Sequence, residues 1–264
     1  MINYISGLGA LFLFFLLNSY SLASPEPAGG KAEGDPREMA EVREQLRNMR
    51  DEIKNLSGRL EKIEALIPSA KEPEKVTMRL GDALMLGDRD AKLGIVEFSD
   101  YQCPFCRRFH TDTFPQLQEN YIDAGKVALI VKNFPLDFHP AAMNAALAVT
   151  CAGVQDVKRF WDVQGDLFDN QKRLGADLYM ELIKKYGLDQ QKFDACMSDG
   201  ARKKKVQEDL KYAQSLGVQG TPTFFIGYIE GDQLVDAMPL VGAQPYSVFA
   251  QVIESMSKQQ GKGS

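Results

Sequence analysis

The sequence predicts an α/β domain whose sheet is interrupted by a helical insertion, preceded by an N-terminal coiled-coil helix. Apolar runs at 93–99 and 127–134 flank a helical pattern, which indicates a parallel strand–helix–strand unit with a right-handed crossover. A helical stretch over about 139–216 separates this unit from a third apolar run at 223–226. Upstream, apolar residues recur every three to four positions between 39 and 67, which is typical of a coiled coil.

Composition places the chain among ordinary globular proteins. It has 264 residues, 44% hydrophobic and 25% charged, enough for one good-sized domain with additional segments and a core that folds without a metal. The net charge is −5. Neither nucleic acid nor an anionic membrane surface is therefore an expected partner.

The first 23 residues are typical of a signal peptide. Gly7 to Leu17 form an apolar run, and Ser21-Leu22-Ala23 offers small residues for cleavage after Ala23. The region before the run lacks Lys and Arg, which is unusual, and the alternative is an uncleaved anchor, although the run is short for a full span. We expect export to the periplasm, free or envelope-associated, where disulfides persist.

Residues 24–36 are rich in Pro, Gly, Ala and Glu and are predicted to be a flexible leader. The coiled-coil helix follows at 37–67; Asp35-Pro36 favours its start and Pro68 its end. A narrow apolar seam predicts self-association as a dimer or trimer, whereas a helix docked on its own domain usually has a wider apolar face. The seam consists of Met39, Val42, Leu46, Met49, Ile53, Leu56, Leu60, Ile63 and Ile67.

A semi-rigid linker at 68–75 leads to the second domain, predicted at 76–264. Its elements are a strand at 93–99, a helix from Cys103 to about 123, and a strand at 127–134. The helical insertion, about 139–216, is expected to break at Gly153, at Gly175 and at 187–189. A strand at 223–226, a turn or strand near 240–241, and a helix over about 245–257 complete the domain.

Cys103-Pro104-Phe105-Cys106 directly follows the first predicted strand and opens a helix. Cys103 lies where unpaired backbone N–H groups and the helix dipole favour a thiolate. A thiolate can attack a substrate sulfur, or leave when a substrate thiolate attacks it. Cys106, one turn further in, is expected to be more buried and to resolve the mixed disulfide. The motif in this setting predicts a redox pair.

Half of a zinc site and an inert structural disulfide are the two other interpretations of the pair. Zinc takes a tetrahedral ligand set, and the remaining candidates form no second closely spaced pair. We therefore expect neither a metal nor a cofactor. Those candidates are Cys151, Cys196, His110 and His139.

Thr221-Pro222 stands at the entry to the apolar strand at 223–226, where a missing N–H is tolerated. With the cysteine pair, this motif makes the chain resemble the thioredoxin superfamily, and its DsbA-like branch, over about 76–258. The resemblance implies a thioredoxin-like fold with a helical insertion. It also implies a cis Thr221-Pro222 bond beside the cysteines, which shapes a groove and presents backbone groups to an extended substrate segment.

The resemblance also assigns a role to Glu97, which lies six residues before Cys103. An acidic residue at this position in DsbA-like proteins is buried near the cysteine pair and assists proton transfer at the resolving thiol. The alternative for Glu97 is a solvated charge at the strand edge. Pro115 resembles the proline that kinks the active-site helix of the superfamily.

Cys151 and Cys196 fall in the predicted insertion. An even cysteine count in an exported protein suggests that they form a structural disulfide, with two buried free thiols as the alternative; similar extra pairs occur in DsbA-like proteins. The two histidines are weak signals. His110 is interpreted as a surface or packing residue, and His139 as a helix cap.

These features predict a thiol–disulfide oxidoreductase that forms or isomerises disulfides in exported proteins. The predicted coiled-coil helix at 37–67, here called the stalk, resembles that of oligomeric DsbA-like proteins, including the ScsC type. Such an oligomer favours isomerase capacity, because one subunit can hold a substrate while another reacts. Expected partners are unfolded or misoxidised exported proteins, a membrane redox partner that resets the cysteines, and other copies of the chain. The alternative is a non-enzymatic envelope chaperone or surface-associated binding protein.

Overall fold

The computed structural model describes residues 35–66 and 74–260. The predicted signal peptide, most of the leader, the end of the coiled-coil helix and most of the linker lie outside the described residues. The rest forms two units, a long helix and a domain that begins at the first strand. Across the described ranges, no helix is both long and apolar enough to cross a bilayer.

Helix α1 (Pro36–Leu66) begins and runs as the sequence predicts. The Asp35 carboxylate accepts the N–H of Arg37 at 2.9 Å, and its carbonyl accepts the N–H of Met39 at 3.0 Å, which satisfies two donors of the first turn. The apolar seam lies open to solvent, because its described side chains are between 47% and 61% exposed. These side chains are Met39, Val42, Leu46, Met49, Ile53, Leu56 and Leu60.

The second unit contains a six-stranded mixed sheet of order β1-β6-β5-β3-β4-β2. The predicted parallel pair is confirmed in its centre, where Leu93 pairs with Val127 and Ser99 with Asn133. All other neighbouring strands are antiparallel. The strands are β1 (Val76–Arg79), β2 (Met85–Leu86), β3 (Leu93–Ser99), β4 (Val127–Asn133), β5 (Thr223–Glu230) and β6 (Gln233–Val241).

Four of these strands differ from the sequence prediction; one of them, β5, was predicted at 223–226 but runs to Glu230. β1 and β2 were not predicted, because strands of four and two residues carry almost no periodic signal. β6 has low strand propensity: it contains Pro239, and Asp236 adopts a positive φ of 50°. It is a strand because it pairs with β5 along most of its length, so tertiary pairing overrides local preference.

The helical stretch after β3 is continuous but irregular. The predicted single helix is instead α2 (Pro104–Arg108), a π-helical turn (Phe109–Thr113), α3 (Phe114–Leu117) and a second π-helical turn (Gln118–Ile122). Pro115 lies at the start of α3. Because proline lacks an N–H and clashes with the carbonyl four residues earlier, the wider turn before it accommodates the ring.

The insertion contains five α-helices, and one predicted break is wrong. Gly153 lies inside α4, where an added Cβ would approach Leu84 Cδ1 to 2.9 Å and Phe160 Cβ to 3.0 Å, so this glycine permits close packing. The chain breaks instead at Asp156, whose side chain caps the next helix by accepting the N–H of Lys158. The helices are α4 (Ala142–Gln155), α5 (Val157–Asp169), α6 (Ala176–Tyr186), α7 (Gln190–Ser198) and α8 (Gly200–Ser215); α9 (Tyr246–Gln260) follows the sheet.

Helices cover both faces of the sheet, so every residue of β3 is buried. Alternate side chains point to opposite faces. Ile95 joins the core under the insertion, whereas Val96 and Phe98 join the core on the other face. By this alternation Glu97 points into the core shared with the insertion, and that core contains both redox cysteines.

Cys151 in α4 and Cys196 in α7 are joined by a disulfide, with their Cα atoms 5.7 Å apart. The bond closes a loop with a sequence separation of 45 residues. It therefore ties the first helix of the insertion to the fourth.

Candidate active site

The candidate redox cysteines lie where β3 gives way to α2. Cys103 has extended backbone angles, φ −72° and ψ 123°, and is the residue immediately before α2, with Pro104 in the first turn. The N–H of Cys103 donates to the Asp100 carbonyl at 3.1 Å, which closes a tight turn after the strand. The proline fits because the first helical N–H has no intrahelical partner.

Both cysteines are free thiols in the structure, and they differ in surroundings. Cys103 is 3% exposed, and its thiol donates to the Thr221 carbonyl at 3.4 Å. Cys106 is 0% exposed, and its sulfur accepts the N–H of Asp100 at 3.5 Å. Cys103 is therefore the outer sulfur and Cys106 the inner one.

The surroundings drive the pKa values of the two thiols apart. The hydrogen bond from Cys106 is the largest cause that lowers the pKa of Cys103, from 9.0 to about 6, against the opposing effect of burial. The backbone N–H groups of Phe105 and Cys106 act in the same direction. Burial, followed by the hydrogen bond and charge of Cys103 and the charge of Glu97, raises the pKa of Cys106 well above its ordinary value. At neutral pH the outer sulfur is thus mostly a thiolate and the inner one a thiol.

The Thr221-Pro222 peptide bond is cis and immediately precedes β5. Antiparallel pairing of β5 with β3 sets Thr223 opposite Phe98, so the residues before β5 lie beside the loop after β3. This register brings the Thr221 carbonyl to Cys103 although the two residues are 118 positions apart. The hydroxyl of Thr221 is buried, and no described group bonds to it.

Glu97 is fully buried, so the alternative of a solvated strand-edge charge is wrong. Both of its carboxylate oxygens lie 3.2 Å from Nε2 of His110. Of the two interpretations of His110, a surface or a packing residue, the second is confirmed, because its side chain is only 6% exposed and stacks on Phe168 at a centroid distance of 4.2 Å. Sequence spacing alone does not reveal this pair, since His110 lies in the π-helical turn.

Asp100 and His139 form a second buried pair that the sequence analysis missed. The Asp100 carboxylate accepts the N–H of Gln102 at 2.7 Å and of Leu136 at 2.8 Å, and it lies 2.8 Å from Nδ1 of His139. The residue that caps α4 is Ala141, so the interpretation of His139 as a cap is wrong. An aspartate directly after a buried strand was the available signal, because such residues bond to nearby backbone N–H groups.

The insertion holds the backbone of the redox loop. The Gln171 side-chain amide donates to the carbonyls of Tyr101 at 2.9 Å and Cys103 at 2.8 Å. On the other side, the side-chain oxygen of Gln102 accepts the N–H of Ala141 at 2.7 Å. Contacts of single glutamines leave no trace in sequence periodicity, so sequence reasoning could not find them.

Within the described ranges, no group of three His, Cys, Asp or Glu side chains is placed to hold a metal ion. The chemistry offered by the described residues is exchange between sulfurs, with carboxylates and histidines as proton carriers.

This fold and this site define a thioredoxin-type redox protein: a strand, two thiols of divergent pKa at a helix start, and a cis Thr221-Pro222 bond whose threonine carbonyl contacts the outer sulfur. A family model described as Thioredoxin matches residues 80–237. A Bacillus cereus protein named "Probable disulfide bond formation protein D" is 34% identical over 148 residues, covering 53% of this chain and 68% of the relative.

Solved structures agree with that match. The crystal structure of oxidised BdbD from Bacillus subtilis superposes with a TM-score of 0.60 at 25% identity, covering 70% of this chain and 98% of that one. The catalytic domain of Proteus mirabilis ScsC gives a TM-score of 0.53 at 26% identity, covering 66% and 88%. The chain belongs to the thioredoxin family, as a DsbA-like thiol–disulfide oxidoreductase.

Proposed function

We propose that this chain forms and isomerises disulfide bonds in exported proteins, through Cys103 and Cys106 as its redox pair and as an oligomer held by α1. The observation that carries the proposal is the divergence of the two thiols. The pKa of Cys103 is lowered to about 6, and that of Cys106 is raised. A stabilised outer thiolate is both a ready nucleophile and a good leaving group.

In the oxidase direction the protein starts with a Cys103–Cys106 disulfide. A substrate thiolate attacks the Cys103 sulfur, the bond to Cys106 breaks, and Cys106 leaves with the electron pair and takes up a proton. A second substrate thiolate then attacks the substrate sulfur of the mixed disulfide and expels the Cys103 thiolate. The substrate dithiol is oxidised to a disulfide and the protein pair is reduced, so an oxidising membrane partner is needed for the next cycle.

In the isomerase direction the protein starts reduced. The Cys103 thiolate attacks a wrong substrate disulfide and releases one substrate thiolate, which can attack elsewhere in the substrate. When the substrate re-forms a different disulfide it expels Cys103, and no net oxidation occurs. Cys106 attacks the mixed disulfide only when rearrangement fails.

The Thr221 carbonyl, 3.4 Å from the Cys103 sulfur, supports a binding mode for an extended substrate segment across the cis-proline loop. Phe105, within the cysteine motif, is 53% exposed, and Phe138, which precedes the Asp100 partner His139, is 74% exposed. An exposed aromatic side chain within the cysteine motif, such as Phe105, suits unfolded polypeptides, which present apolar residues.

The open apolar seam of α1 supports assembly, because a stripe of this length is buried when helices pair. Assembly would present several catalytic domains to one substrate and raise the effective concentration of the second site. Export to the periplasm is supported by the apolar run at the N-terminus and by the Cys151–Cys196 disulfide, since such bonds persist in oxidising compartments. We propose cleavage after Ala23.

Insulin reduction and refolding of scrambled ribonuclease test the proposed function. Wild-type protein should be active in both assays. Cys103→Ala should abolish both activities, whereas Cys106→Ala should keep some isomerase activity because the outer thiolate remains. Retention of full activity by Cys103→Ala would refute the enzymatic proposal and favour a binding role.

Measuring the molecular mass in solution tests whether α1 holds the protein as an oligomer. Leu46→Lys with Ile53→Lys places two charges in the seam and should give a monomer that still reduces insulin but isomerises poorly. Glu44→Lys with Asp51→Lys is the matched control, with the same spacing outside the seam, and should stay oligomeric. Isomerisation by the monomer at the wild-type rate would remove the role of the stalk.

A further inference from the structure

Glu97 and His110 form a buried acid–base pair in the core that contains the two redox cysteines. Glu97 lies in the core at 0% exposure, and both of its oxygens contact one nitrogen of His110. An ionised carboxylate in such a place is costly unless a positive charge or a proton compensates it. The 3.2 Å contacts with Nε2 of His110 are within reach for transfer of a proton between the two side chains.

His110 connects this proton to the outside. It lines a groove of about 360 Å³ between the active-site helix and α5. The wall contributed by α5 includes two carboxylates, Asp162 and Asp169, and the half-buried Trp161. Glu97 has no exposed surface, whereas the His110 side chain retains 6%, so the histidine is the member of the pair that reaches the groove.

On the side of the core, the Glu97–His110 pair faces Cys106. Glu97 is close enough for its charge to raise the pKa of the Cys106 thiol. Of the neighbouring polar groups, Tyr101 has a pKa raised far above neutrality by burial, and its hydroxyl donates to Gln164, so it keeps its proton. The Asp100 carboxylate near Cys106 already accepts the N–H groups of Gln102 and Leu136 and contacts His139. We therefore assign the proton path to Cys106, Glu97 and His110, in order from the core to the groove.

We propose that His110 is a positioning residue that passes protons between Glu97 and the groove, so that Cys106 can change protonation state without leaving the core. This inference rests on the proposed function. When the Cys103–Cys106 disulfide opens, the leaving Cys106 sulfur takes a proton from Glu97, and His110 returns one from water in the groove. When Cys106 attacks the mixed disulfide, its proton moves along the same path outward, a new bond to Cys103 forms, and the substrate leaves as a thiolate.

The test measures closure of a mixed disulfide between Cys103 and glutathione in the full-length protein between pH 5 and 8. In His110→Gln the amide can still bond to Glu97 but cannot carry a proton. We expect closure to slow by about a hundredfold near neutral pH, within the range that general acid–base groups contribute. We also expect a steeper rise with pH than in wild type, because Cys106 must now give its proton directly to solvent. Imidazole added to His110→Ala should restore part of the rate.

Asp162→Asn is the matched control, because it removes a titratable group from the same groove without touching Glu97, and it should keep the wild-type rate and slope. The inference would be overturned if His110→Gln were slow but kept the wild-type pH slope and imidazole did not rescue His110→Ala. That combination would show that His110 has a merely structural role. Equal rates in His110→Gln and wild type would overturn it too.

A measurement on wild type alone covers the case in which the substitutions do not fold. Closure in mixtures of H₂O and D₂O should slow with a curved dependence on deuterium content, since two protons move; a linear dependence would contradict the relay. If wild type fails to close the mixed disulfide, the proposed function fails. If wild type closes it and the variants match, only the relay fails.

Discussion

The lowered pKa of Cys103 predicts a pH-dependent stability of the reduced protein. The thiol pKa is about 6 in the folded protein against an ordinary value of 9.0. Because the pKa of Cys103 is lower in the folded protein than in the unfolded chain, ionisation of this thiol stabilises the folded protein. The contribution is complete above pH 9 and is lost as pH falls through 6. With these two pKa values, the stabilisation grows by about 3 kcal/mol from pH 5 to pH 8.

Cys103→Ser removes the ionisable group while keeping a similar shape, so the difference between wild type and variant isolates this effect. Urea unfolding of both reduced proteins, followed by circular dichroism, should show a wild-type advantage that widens by about that amount between pH 5 and pH 8. The pH dependence of alkylation of Cys103 provides an independent midpoint near 6. A constant difference, together with an alkylation midpoint near 9, would refute the account of how the site stabilises its thiolate.

Three further predictions concern the supports of the site. Replacing Cys151 and Cys196 by alanine opens a loop with a sequence separation of 45 residues and should lower the free energy of unfolding by about 4 kcal/mol, measured by urea unfolding. Asp100→Asn leaves backbone donors of a buried turn without a full set of acceptors. It should lower the free energy of unfolding by about 2 kcal/mol, seen as a lower melting temperature. An unchanged melting temperature would contradict the importance of that carboxylate. Gln171→Ala frees the carbonyls of Tyr101 and Cys103 and should reduce insulin reductase activity several-fold with a smaller loss of stability, about 1 kcal/mol; equal activity would show that the loop needs no support from the insertion.

Much of the fold follows from local patterns in the sequence. β3 has its predicted bounds, Leu93–Ser99, because a buried central strand is a continuous apolar run. α1 follows from its seam and its terminal residues. Gly153 was misjudged because a glycine that permits close packing and one that breaks a helix look alike in sequence. β6 was under-predicted because Pro239 and Asp236 weaken its strand pattern, although Gly231-Asp232 between β5 and β6 was an available hairpin signal.

The candidate site likewise contains residues that the sequence predicts and contacts that it does not. Cys103, Cys106 and Pro222 carry strong motif signals, and the structure brings Cys103 and the cis-proline loop together. The polar contacts around them come from residues far apart in the chain, such as Asp100 with His139. No periodicity encodes these contacts, since each depends on which loops the fold places side by side.

Trp161 is the one tryptophan of the sequence, and its place in the groove beside His110 makes it a built-in optical reporter. Its ring packs edge-on against Phe160 at 4.9 Å, on the helix that also carries the stacking partner of His110. Indole emission responds to nearby charge and water, so light absorbed by the native protein can reveal events at this end of the insertion. Kinetic work on the unlabelled chain thus starts with a probe already in position.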